Sequence, residues 1–304
     1  MSSVTARAAA KINLFLGVGA PRADGFHELA TVFQAVSLHD DVTATEADKL
    51  TVTVAAEPEV SASGVPTNRA NLAARAAVLV AKRARRRADV HLHIRKRIPV
   101  AGGMAGGSAD AAAALVACDA LWGTNLARAE LNELGVQLGS DVAFALLGGT
   151  AVGRGRGETL TPALASGRFD WVLALAADGL STPEVYAECD RLRTGRVLPE
   201  VRVSDDVMSA LRSGDAVALG HALANDLQPA ACSLRPELLQ TLEVGSEYGA
   251  LGSIVSGSGP TVAFLTRDAE HALDVAVALA ASEVCAFVKR VHGPVAGARV
   301  VEAL

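Results

Sequence analysis

The segment Pro99-Val100-Ala101-Gly102-Gly103-Met104-Ala105-Gly106-Gly107-Ser108 runs straight into an alanine-rich stretch, Ala109 to Leu121, patterned as a helix. Glycine admits left-handed dihedrals and lets the main chain approach a ligand closely, and a helix start offers unpaired N–H groups with partial positive charge. The whole run from Pro99 to Ser108 therefore reads as a phosphate-binding loop. It is not a P-loop, because no lysine follows the glycines, which lead instead into Ser108-Ala109-Asp110. Nor does Gly102-Gly103-Met104-Ala105-Gly106-Gly107 keep the G-x-G-x-x-G spacing of a dinucleotide fold. Pro99 in front and strong helix formers behind oppose a flexible linker.

The chain has 304 residues, enough for two domains with cores of their own, expected at 1–160 and 161–304, with turns and a surface connection around 155–168. Half the residues are hydrophobic, yet no stretch of 18 apolar residues occurs, so no bilayer span is expected. Residues 1–16 lack a signal-peptide core, and the cytoplasm is the expected compartment. Cys118, Cys189, Cys232 and Cys285 are scattered without a C-x-x-C pair, so reduced thiols and no metal cluster are expected. A net charge of −5 disfavours nucleic acid as a partner, although residues 82–87 and 95–97 are basic. The first of these basic runs reads as a solvated helix end.

Alternation places Ile12, Leu14 and Leu16 on one face of a first strand and the polar Lys11 and Asn13 on the other, where they can line one site. After a turn at Asp24-Gly25 come strand patterns over 28–36, 42–45 and 50–54, the last two read as a hairpin. A helix is expected from about 71 to 84, a strand through Val90, Leu92 and Ile94, the loop and its helix, and a short helix over 127–134. Gly139-Ser140-Asp141 then puts Asp141 at a helix start. The remainder reads as α+β. Its strands are expected near 171–176, 253–256, 261–265 and 284–291, and its helices begin near Thr182, Asp205, Arg235 and Asp268.

Taken in order, Ala10-Lys11-Ile12-Asn13-Leu14-Phe15-Leu16, Arg22-Ala23-Asp24-Gly25-Phe26-His27, the glycine loop, Gly139-Ser140-Asp141 and Ser256-Gly257-Ser258-Gly259-Pro260 resemble one family. It is the superfamily named for galactokinase, homoserine kinase, mevalonate kinase and phosphomevalonate kinase. The resemblance spans Ala10 to about Val291. The first two motifs, with Ser181-Thr182-Pro183 and Asn225-Asp226, are similar to its members acting on a cytidine diphosphate-linked polyol. The resemblance implies an α+β, two-domain small-molecule kinase: an N-terminal domain of the kind found in ribosomal and translation proteins, a ferredoxin-like C-terminal domain, and a site in the cleft between them. The implied reaction moves the γ-phosphoryl group of ATP, with Mg²⁺, to a hydroxyl of the polyol, in a monomer or weak homodimer. Another kinase of the superfamily, or a nucleotide sensor or RNA-binding protein, are the rival readings, opposed by Phe26-His27 and by the acidic balance.

The resemblance also distributes roles. Asp141 orients the acceptor hydroxyl and takes its proton, or else caps its helix. Lys11 supplies charge to the phosphoryl group, and Asn13 bonds the acceptor or caps a turn. Phe26 stacks on cytosine while His27 bonds it, with core packing the alternative for Phe26. Thr182 touches substrate or caps a helix with Pro183 behind it. Ser108 reaches phosphate or Mg²⁺, or caps its own helix, and Asp110 is a candidate metal ligand. Asn71 and Lys96 flank the adenine, or are an N-cap and a solvated strand end. Gly257 and Ser258 close over the site, or form a plain hairpin turn. Ala101 and Ala105 stand where relatives commonly carry glycine, which puts nucleotide affinity rather than the reaction in question.

Overall fold

The computed structural model describes residues 2–303. The chain opens with two long strands, β1 (Ser3–Pro21) and β2 (His27–Glu46), then β3 (Thr51–Ala56), α1 (Leu72–Arg83), β4 (Val90–Lys96) and α2 (Gly106–Trp122). It continues through α3 (Arg128–Leu138), α4 (Ser140–Leu147), β5 (Thr150–Gly155) and β6 (Thr159–Pro162). The second sheet starts with β7 (Phe169–Leu175), followed by α5 (Thr182–Leu192), α6 (Asp205–Ser213), α7 (Ala216–Ala222), β8 (Ala224–Asn225), α8 (Gln228–Leu234) and α9 (Glu237–Glu247). The last elements are β9 (Gly252–Val255), β10 (Val262–Thr266), α10 (Ala269–Ala281), β11 (Phe287–Gly293) and β12 (Arg299–Ala303).

The first sheet runs β12-β1-β2-β4-β3, with β5 beside β2 and β8 beside β1. The second runs β11-β7-β10-β9, all antiparallel. Its chain order is β-α-β-β-α-β with the first and third strands central, the ferredoxin-like arrangement. Both chemical halves are thus α+β, and the late segments β8 and β12 are strands of the first sheet.

Three local readings are corrected. Segments 28–36 and 42–45 are one continuous strand, β2, because the bulge at Ala9/Ala10 lets β1 follow it along its whole length. Residues 51–56 do not form a hairpin with β2. They pair in parallel with β4, which is inserted between them. Alternation fixes which face a strand buries but not which neighbour it joins. The helices α7 and α8 and the strands β5, β6, β8 and β12 went unread, each too short or too exposed to carry a period.

The core of the first half is the alanine face of α2 against β1, β2 and α1. Ala109, Ala111, Ala112, Ala113, Ala114 and Leu115 are fully enclosed, as are Ile12, Leu14, Ala76 and Ala77. A helix apolar all round must be buried, and alanine lets it approach its neighbours closely. Beneath the start of α2 lies an ion triad. The Lys96 ammonium, 1% exposed, is bonded by Asp40 and by Asp110 at 2.8 Å, and Asp40 Oδ1 also accepts from the amides of Arg97 and Ile98. Burial, relieved in part by Lys96, pushes the Asp110 carboxyl well above its ordinary range, and its Oδ1 has no partner.

Lys96→Met is expected to strand this buried carboxylate pair and cost about 3–5 kcal/mol of stability. Asp110→Asn, which keeps an acceptor for Lys96, is expected to cost about 1 kcal/mol or less. Urea denaturation of the two variants beside the parent checks both.

Candidate active site

Alternation along β1 buries Ile12 and Leu14 in the core and turns Lys11 and Asn13 toward the second sheet. Asn13 Oδ1 accepts from the Lys11 ammonium at 2.6 Å, and Asn13 Nδ2 donates to Thr31 Oγ1 at 2.8 Å. Lys11 also donates to the carbonyl of Gly103 at 2.8 Å. Burial lowers the pKa of Lys11, and the nearby charge of Asp141 partly restores it. Two of its three N–H bonds are thereby directed, and one is left for a ligand.

The loop is pinned to both sheets. The Lys11 amide donates to the Met104 carbonyl at 3.2 Å, and Ser256 Oγ donates to the Gly103 carbonyl at 3.1 Å. Gly103 has φ of +75° and packs so tightly that a Cβ would fall on the Ser256 carbonyl oxygen. Asn225 fixes the opposite turn, its Nδ2 donating at 2.7 Å to the carbonyls of Val255 and Gly257. The segment 256–259 does join two antiparallel strands, β9 and β10, and its Gly257 and Ser258 also line the cavity.

These contacts enclose a cavity of about 340 Å³ at the junction of the sheets. Its wall includes Lys11, Asn13, Pro99, Ala101, Gly102, Gly103, Ala105, Gly106, Gly107, Asp141, Thr182, Gly257 and Ser258. Two helices begin there, α2 behind Ala105 and α4 behind Gly139, and neither has a side-chain cap. Both therefore bring free N–H groups and positive dipole ends to one space, each worth roughly 0.3–1 kcal/mol to an anion. Asp141 sits in the first turn of α4 without capping it and is the one carboxylate of the wall among the described residues. Thr182 is likewise no cap. That position belongs to Ser181, and the Thr182 hydroxyl instead meets Ser258 Oγ at 2.9 Å.

Phe26 and His27 stand just outside the wall, each against one of its members. The Arg156 guanidinium lies 4.9 Å from the centre of the Phe26 ring, which is 53% exposed, so Phe26 is not a core residue. The His27 ring packs 4.9 Å from that of Tyr186, and its Nε2 is 2.9 Å from Asp190 Oδ1. A carboxylate only accepts, so Nε2 carries the proton there. Burial and the charge of Asp141 push the Tyr186 hydroxyl up to about 12.

Several expected residues lie elsewhere. Asn71 is a helix cap: its Oδ1 accepts from the Ala73 amide and its Nδ2 donates to the Pro66 carbonyl, and it does not line the cavity. Lys96 is the centre of the buried triad and does not face the cavity. Met104 is a core side chain, and Val100 and Ser108, both half-buried, fall outside the wall. Asp110 is enclosed with Lys96 rather than offered to a metal, and among the described residues no group of three or more His, Cys, Asp or Glu could hold one. Sequence reasoning missed Thr31, Arg156 and Tyr186, which line the cavity. Arg156 had a signal in Gly153-Arg154-Gly155-Arg156-Gly157, read only as a turn.

An anion cradle at two helix starts, between a ferredoxin-like sheet and a longer sheet, has counterparts among known proteins. Residues 71–149 match the GHMP kinases N terminal domain and residues 207–284 match GHMP kinases C terminal. The chain belongs to the GHMP kinases. The 4-diphosphocytidyl-2-C-methyl-D-erythritol kinase of Streptomyces avermitilis is 56% identical over 98% of this chain and all of that protein. The enzyme of the same name from Streptomyces coelicolor is 58% identical over 99% of this chain and all of that protein. A crystal structure of 4-(cytidine 5'-diphospho)-2C-methyl-D-erythritol kinase superposes with a TM-score of 0.75 at 33% identity, covering 95% of this chain and 98% of that one. A homoserine kinase from Cytophaga hutchinsonii gives 0.76 at 17% identity over 98% and 97%, which shows the fold alone. As a GHMP kinase, the chain is an ATP-dependent small-molecule kinase.

In this GHMP kinase, Ala101 at φ +53° and Ala105 at φ +59° are both in the left-handed region. A Cβ there costs about 1–2 kcal/mol, offset by roughly 0.4–1 kcal/mol of unfolded-state entropy that glycine would add. Ala101→Gly and Ala105→Gly are each expected to raise stability by about 0.5–1 kcal/mol, visible as a higher urea midpoint at unchanged slope.

Proposed function

We propose that this chain transfers the γ-phosphoryl group of ATP to the 2-hydroxyl of 4-diphosphocytidyl-2-C-methyl-D-erythritol, giving the 2-phosphate and ADP, in the non-mevalonate route to isoprenoid precursors. The observation that carries the reading is the meeting of Lys11, Asp141 and two uncapped helix starts in one cavity. Full-length relatives of that name at 56% and 58% identity support it.

The geometry supports a role for each part. Amides of the loop and of the first turn of α2 hold the phosphates of ATP, as they are left without intrahelical partners. The remaining Lys11 N–H bonds the equatorial oxygens, where charge gathers in a loose transition state. Asp141 accepts the proton of the 2-hydroxyl as the new O–P bond forms and the bond from the γ-phosphorus to the β-bridging oxygen breaks. Asn13 holds Lys11 in place and, with Thr182, Gly257 and Ser258, borders the acceptor. Cytosine stacks on Phe26, and His27, whose Nε2 is directed to Asp190, offers Nδ1 as acceptor to the exocyclic amine of the base.

Mg²⁺ is proposed to accompany ATP. Among the described residues the cavity supplies one carboxylate and no cluster of metal ligands, and no step above depends on a metal. A monomer or weak homodimer belongs to the same proposal, as does the cytoplasm, with which four free thiols among the described residues accord. The division proposed at 1–160 and 161–304 falls within β6 (Thr159–Pro162), just before the chain leaves the first sheet for β7, with β8 and β12 reaching back across it.

The reading is tested by ADP release from ATP and Mg²⁺ with the cytidyl substrate or with methylerythritol phosphate lacking cytidine. ADP with the cytidyl compound alone is expected. Equal turnover of both would remove the base reader, and none with either would leave a nucleotide sensor. Asp141→Asn is expected to cut kcat by roughly 10²–10⁴ while ATP binding by calorimetry changes little.

A further inference from the structure

We propose that Arg156 binds the diphosphate of the acceptor, so that the cavity provides one cationic side chain for each of its two polyphosphate-bearing substrates. The assignment rests on the cytidyl reading above. Among the described residues only Lys11 and Arg156 bring positive side chains to the wall. Lys11 is 6% exposed and tied to Asn13 and the Gly103 carbonyl, which commits it to the phosphate loop. The diphosphate diester of the acceptor carries two negative charges and needs a partner of its own.

Arg156 is placed for that part. It sits at the tip of the turn between β5 and β6, between Gly155 at φ +73° and Gly157 at φ +92°. The turn is closed by the Gly157 amide donating to the Arg154 carbonyl at 3.0 Å and the Arg156 amide donating to Glu158 Oε2 at 2.5 Å. The backbone beneath Arg156 is therefore fixed. Its guanidinium is only loosely paired: Glu158 Oε1 is 4.0 Å from Nε, and none of its side-chain N–H groups makes a hydrogen bond within the described residues. By contrast Arg7 and Arg168 each bind a carboxylate at 2.7 and 2.6 Å.

A guanidinium lying over an aromatic face keeps its in-plane N–H edges free, and those edges match two phosphate oxygens at once. The exposed Phe26 ring thus holds the cation and offers stacking surface to the base. A cytosine stacked on it carries its diphosphate one ribose away, beside the guanidinium edge. Phe26 and Arg156 then act as one reader, ring for the base and fork for the phosphates.

The test measures, by calorimetry, the binding of cytidine, cytidine diphosphate and ATP to the parent protein, Arg156→Gln and Arg156→Lys. The parent is expected to prefer cytidine diphosphate to cytidine, and Arg156→Gln to lose ~10- to 100-fold of that preference with ATP affinity changed less than about threefold. Arg156→Lys, which keeps charge but not the fork, is expected to fall between. A preference undiminished in Arg156→Gln would overturn the assignment, as would a loss that appears in ATP instead. If the parent binds neither cytidine nor its diphosphate while binding ATP, the cytidyl reading itself is wrong and the assignment falls with it.

Discussion

The Gly103 carbonyl accepts from the Lys11 ammonium of the first sheet and from the Ser256 hydroxyl beside the second. This one oxygen joins the phosphate loop to both halves of the molecule. No side chain is tolerated at Gly103, because its Cβ would occupy the Ser256 carbonyl. The close approach that glycine allows thus sets the distance between the sheets and, with it, the width of the cavity. Asn225 serves the same junction from the other side by holding the turn that carries Gly257.

Electrostatics follow from that junction. Two helix starts without side-chain caps leave their N–H groups at the cavity, a cost that an anion removes when it binds. A desolvated lysine stands opposite a carboxylate in the same space, so burial weakens the grip of Lys11 on its proton while Asp141 strengthens it. Beneath α2, Lys96 answers Asp40 and Asp110 where no solvent reaches. Two buried lysines with different partners separate two tasks: Lys11 keeps a free N–H for a ligand, and Lys96 steadies the helix that carries the loop.

Much of the site was legible because it is written in short local patterns. Alternation on β1 placed Lys11 and Asn13 on one face, and Gly139-Ser140-Asp141 marked the start of α4. The loop announced its own turn and helix, and Asn71 obeyed the capping rule that was held as its alternative. Arg156 and Tyr186 were not legible as site residues, since a turn arginine and a helical tyrosine have no period that points across a cleft. Lys96 does end β4, but it looked solvated because its partner Asp40 is 56 residues away.

The sequence by itself determined the anion loop, the faces of the central strands, the α+β class and the family, all of which depend on residues close together along the chain or on motifs in order. Tertiary structure alone decided that β3 joins β4 in parallel, that β12 returns to β1, that Lys96 is buried between carboxylates, and that Arg156 stands over Phe26. Periodicity reports which side of an element is apolar; which neighbour that side meets is chosen by long-range packing, in which every element competes for the same enclosed space.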